Sequence, residues 1–104
     1  MEFKGTPWPW LHADSHGLNE TAGGAIHGDG KTLCLVLGKG IGKEKATANA
    51  KLMAAAPDLL DALIGLFESY KQLADSGDAG FWRLEDTTEG RAATKAIKKA
   101  LGRE

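Results

Sequence analysis

The chain reads as a small α+β protein: an antiparallel sheet of two or three strands at the N-terminus, followed by three α-helices. Three observations predict this. Residues 1–40 are broken by prolines and glycines and hold short apolar runs without helical spacing. From Lys43 onward the chain is dense in alanine, leucine and lysine, all strong helix formers. Pro57 and the Asp75–Gly80 cluster then cut that stretch into three.

Taken in order, Thr6-Pro7-Trp8-Pro9-Trp10 excludes helix and favours an extended path into a first strand over Trp8–Ala13. Gly23–His27 is a second strand. Asp29-Gly30 follows as a hairpin turn, since both residues tolerate positive φ. Lys31–Leu37 is the best strand; its imperfect alternation predicts cover on both faces and a buried Cys34. Gly38–Gly42 breaks the pattern. The first helix is expected over 43–56, and Pro57 opens a second over 57–75 with Asp58 and Asp61 near its positive end. Leu59, Leu63, Phe67 and Tyr70, joined by Leu60, Ile64, Leu66 and Leu73, make that helix the expected centre of the core. Phe81, Trp82 and Leu84 form an apolar knot in the next connection. Asp86-Thr87-Thr88-Glu89 matches a capping box for a last helix over 87–101, with Ala93, Ile97, Ala100 and Leu101 inward and Gly102 at its end.

A chain of 104 residues suits one domain, taken as 1–104. Much of its apolar share is alanine, which buries little area, so self-association into a homo-oligomer is expected. A single cysteine excludes an internal disulfide and fits a reducing cytoplasm. No apolar run is long enough for a signal peptide or a membrane span. The net charge of −1 gives no general attraction to nucleic acid. Charge is uneven along the chain, however: residues 57–90 are acidic, and Arg91, Lys95, Lys98, Lys99 and Arg103 make the last helix basic. That helix either lies near the acidic segment or touches a phosphate backbone, and the nearby acids disfavour the second reading.

Two segments resemble a widespread family of small phage and prophage proteins. Its members open on a Thr-Pro-Gly-Pro-Trp motif and carry a helix of the form Ala-Asn-Ala-Arg-Leu-Ile-Ala-Ala-Ala-Pro-Glu-Leu-Leu-Glu-Ala-Leu. The first is similar to Thr6–Trp10 and the second to Ala48–Leu63; Arg91–Ala100 resembles the usual last helix. Trp8 stands where the family has glycine, Gly5 where a histidine is frequent, and Lys51 where an arginine is frequent. The resemblance implies an accessory protein acting in the host bacterial cytoplasm. Such proteins include inhibitors of antiviral defence, which block an effector or sequester a nucleotide signal.

Candidate chemistry concentrates in two places. Gly38–Lys43 lies between a strand and a helix, where backbone amides and a helix N-terminus can hold an anion, and Lys39 and Lys43 add charge. The spacing fits neither the phosphate-loop nor the dinucleotide pattern, so a plain connector is the competing reading. Trp8 and Trp10 either cover the sheet or stack on a base. The candidate ligand-binding set is therefore Trp8, Trp10, His12, Lys39, Gly40, Gly42 and Lys43. His12, Asp14, His16 and His27 are the only metal set, and their spacing argues against a metal. No serine sits in a nucleophile elbow and nothing activates Cys34, so neither catalysis nor a cofactor is expected. The expected function is a non-catalytic counter-defence binder that sequesters a phosphorylated nucleotide-type signal; the alternative is a protein inhibitor of a host defence effector or nuclease.

Overall fold

The computed structural model describes residues 3–14, 22–75 and 86–103. Three strands, β1 (Trp10–Ala13), β2 (Gly24–Gly28) and β3 (Lys31–Val36), precede two helices, α1 (Lys43–Asp75) and α2 (Thr88–Ala100). The sheet is antiparallel in the order β1-β2-β3. Asp29 and Gly30 turn β2 into β3 with φ of 53° and 74°, the paired positive φ that a two-residue hairpin needs to match strand twist.

The expected break at Pro57 does not occur. One helix of 33 residues runs through it, so two helices follow the sheet, not three. Proline inside a helix costs about 3 kcal/mol through its missing donor and its clash with the preceding turn. Here the cost is set against Ala54-Ala55-Ala56 before it, Leu59-Leu60 after it, and burial of the ring itself. A strong local breaker is outweighed by the propensity on either side and by packing.

Two compact units divide the chain, one spanning Gly5–Asp58 and the other built on the chain from Leu59 onward. In the first, the core is formed by Ile26, Val36, Ala50 and Ala54, with Trp10 and Leu33 packed against it. Ala46 and Ala50 are wholly buried because helix and sheet approach closely. A Cβ on Gly23 would stand 2.6 Å from Val36 Cγ1 and 2.8 Å from the Ala46 carbonyl oxygen. Only glycine on one side and alanine on the other permit that approach.

In the Gly5–Asp58 unit the core therefore sits on the alanine stripe, and among the described residues none of the leucines expected to centre the core is fully buried. Leu59, Leu66, Tyr70 and Leu73 are exposed, whereas Leu60, Leu63, Ile64 and Phe67 are half-buried. Strand β3 differs as well. A register shift opposite Ile26/His27 leaves Leu33 as the extra residue, directed at the core, while Cys34, Leu35 and Leu37 are exposed. β3 is an edge strand, and Leu35 on its far face is exposed, so the expected second cover is missing there; Cys34, although paired with buried Ile26, is displaced beside the extra residue and is exposed, not buried.

In the second unit Ile97 is 1% exposed and anchors α2. The cap of α2 is Thr87, one residue beyond the Asp86 of the expected capping box. Its hydroxyl accepts from the Gly90 amide at 2.9 Å, which leaves Glu89 at the second helical position, where it cannot reach back. Ala93 and Leu101 are half-buried and Ala100 is exposed. At the far end the Gly102 amide donates to Lys99 O and the Arg103 amide to Lys98 O, closing the helix on Gly102 at φ 72°. Phe81, Trp82 and Leu84 lie outside the described residues.

Candidate functional site

The sequence-predicted ligand residues fall into two groups. Trp10 and His12 sit on the covered face of β1, paired with Gly28 and Ile26. The Trp10 indole N–H donates to Thr6 O at 3.1 Å, and its ring lies 2.8 Å from where a Gly28 Cβ would be. His12 Nε2 is 2.8 Å from Gly23 O. Both side chains thus tie β1 into the domain. Trp8, joined to Pro9 by a cis peptide bond, is 39% exposed.

Lys39, Gly40, Gly42 and Lys43 are all exposed in the connection from β3 to α1. The amides of Ile41 and Gly42 both donate to Gly38 O, so they are engaged within the loop and do not point outward as an anion cradle requires. Positive φ at Gly40 and Gly42, 80° and 95°, explains the glycines, but nothing lies within 4 Å of a Cβ built on either. Beyond the loop, Lys43, Glu44, Thr47, Ala48 and Lys51 line an open depression of ≈ 590 Å³ on the first turns of α1.

Two apolar surfaces escaped the sequence reading. The first is the sheet face turned away from α1. Paired residues share a face, so the register sets Leu11 beside His27, Ala13 beside Ala25, and Ala25 beside Leu35. Leu11 and Leu35 are 62% and 59% exposed, with half-buried Ala13 and Ala25 between them. His27 closes one end, its Nδ1 3.1 Å from the Thr32 hydroxyl. Alternation in Leu33–Leu37 could have pointed to this face only if the register shift at Leu33 were known.

The second surface lies in the unit from Leu59 onward. Leu63, Leu66, Phe67 and Tyr70 of α1, together with Thr87, Glu89, Gly90 and Ala93, line a groove of ≈ 440 Å³. Buried Gly90 keeps its floor low. A signal for it was present: Leu52, Leu59, Leu66 and Leu73 recur every seven residues, a spacing that marks a seam along a helix.

Among the described residues, no three histidines, cysteines or acids cluster as metal ligands, and His16 of the proposed set lies outside them. No described helix is long and apolar enough to cross a membrane. The family model for Salmonella phage P22 protein Y8K6 matches residues 1–104. The chain belongs to that phage protein family. No curated protein and no solved structure matches it. Membership supports the phage origin implied by the Thr6–Trp10 and Ala48–Leu63 motifs, and leaves the activity to be argued from the surfaces just described.

Proposed function

We propose that this member of the P22 Y8K6 family is a non-catalytic accessory protein that holds a protein partner on the uncovered face of its sheet. One observation carries the reading: Leu11 and Leu35 stand largely exposed on the same face, bridged by Ala13 and Ala25. Covering them removes apolar area worth roughly 25 cal/mol per Å² from water. A partner with an apolar ridge of two or three side chains fits this strip, and His27 beside it offers a polar contact at the rim. A host defence effector or nuclease is the partner class that fits a phage accessory protein acting as an inhibitor.

Capture from host lysate with wild-type protein and with Leu11→Lys/Leu35→Lys tests this. Both leucines already face solvent, so the double variant keeps the fold. A stoichiometric protein held by wild type and lost by the variant supports the reading; equal capture by both overturns it.

A second reading has its own observation. Lys43 and Lys51 flank the depression at the first turns of α1, where the helix dipole also favours an anion, and Lys39 stands in the loop before it. Sequestration of a phosphorylated nucleotide-type signal would use these lysines. Calorimetry with a panel of cyclic nucleotides decides it: heat that disappears in Lys43→Ala/Lys51→Ala supports sequestration, and no heat with any of them excludes it.

A further inference from the structure

We propose that two copies of this chain pair through α1, running antiparallel, with the first half of each helix seated against the groove on the second half of the other. The proposal concerns a different surface from the sheet face above and stands or falls separately.

Leu52, Leu59, Leu66 and Leu73 are 64%, 54%, 57% and 51% exposed. A seven-residue repeat drifts only about 20° per heptad around a helix, so these four recur on one side of α1. Leu52 lies about 160° around the axis from Ala50, at 100° per residue, so the stripe is opposite the alanines that α1 buries on the sheet. Ala56, Leu63 and Tyr70 fill the intervening positions of the repeat, and from Leu52 onward no charged residue interrupts it. The seam from Asn49 to Leu73 is about 36 Å long at 1.5 Å per residue. It spans about three and a half heptads, the length at which such repeats sustain pairing.

Charge and volume choose both the occupant and its direction. Residues 43–56 of α1 carry Lys43, Lys45 and Lys51 against Glu44, while 57–75 carry Asp58, Asp61, Glu68 and Asp75 against Lys71. Parallel pairing sets like against like; antiparallel pairing sets basic against acidic and opposes the helix dipoles favourably. The first half presents small residues, Ala48, Ala55 and Ala56, around one large leucine, whereas the second half presents the groove walls Leu63, Leu66, Phe67 and Tyr70. A knob of Leu52 with alanines beside it suits a groove of ≈ 440 Å³ better than a second set of bulky side chains would.

Sedimentation equilibrium and disulfide trapping test the pairing. Wild type is expected to be a dimer, and Leu59→Asp, at an already exposed position, to raise the dissociation constant on the order of 100-fold with an unchanged far-UV spectrum. Leu52→Lys gives the same readout if Leu59→Asp misfolds. In a Cys34→Ser background, Leu52→Cys and Tyr70→Cys should form a disulfide when the two variants are mixed, and each alone should not. A monomeric wild type, a dimer indifferent to both substitutions, or self-linking of Leu52→Cys would overturn the proposal.

Discussion

The Nε2 of His12 lies 2.8 Å from the carbonyl oxygen of Gly23, and this bond ties the middle of β1 to the turn that begins β2. The imidazole is thus engaged within the domain, on the covered face beside Ile26. His12→Ala should lower the unfolding free energy by about 1–2 kcal/mol, the usual cost of leaving a partly buried acceptor without its donor. Urea denaturation reads this directly, and an unchanged midpoint would show that the bond contributes nothing.

Gly23 itself should be far less tolerant. Its missing Cβ leaves room for Val36 and for the backbone of α1 at Ala46. Gly23→Ala forces sheet and helix apart and should destabilise by about 1–3 kcal/mol, as overpacking does. Thermal melting with a matched Gly40→Ala control separates the crowding from glycine's backbone freedom. The control meets no atoms, although its positive φ still carries strain.

Pro57 gives the opposite sign. If α1 is continuous, Pro57→Ala removes a helix penalty of about 3 kcal/mol and loses roughly 1–2 kcal/mol of ring burial, for a net gain in stability. Had Pro57 opened a new helix, the same substitution would be neutral or harmful, because proline suits a first helical position. The melting temperature decides between these.

Thr87→Ala removes the acceptor for the Gly90 amide at the start of α2 and should cost about 1 kcal/mol, with Thr87→Ser restoring most of it. Chemical-shift indices over 88–92 would report fraying. An equal loss with Asp86→Ala would place the cap at Asp86 instead.

The sheet was largely legible in the sequence. Asp29-Gly30 sets the hairpin, but β1 begins at Trp10 and not at the expected Trp8, because Pro9 offers the sheet no amide hydrogen. The helical segment begins at Lys43, directly after the glycine-rich connection. What misled was Pro57 and the leucines around it. Pro57 is a breaker locally, but propensity on both sides carries the helix through. Large apolar residues at helical spacing point to core, whereas the close approach at Gly23 demands alanine. The leucines displaced from the core became surface, and that displacement produced both the seam and the groove. Of the candidate ligand residues, Trp10 and His12 pack inward while Lys39–Lys43 stay exposed, a division that depends on strand register and on Gly38 accepting the loop amides. Neither is written in composition or spacing.

Hydrogen–deuterium exchange of the protein alone and in complex with its captured partner tests the binding role most directly. Docking on the Leu11–Leu35 face predicts slowed exchange over 10–13 and 31–37, with 39–45 unchanged. Protection confined to 39–45, or none on either edge strand, would contradict it.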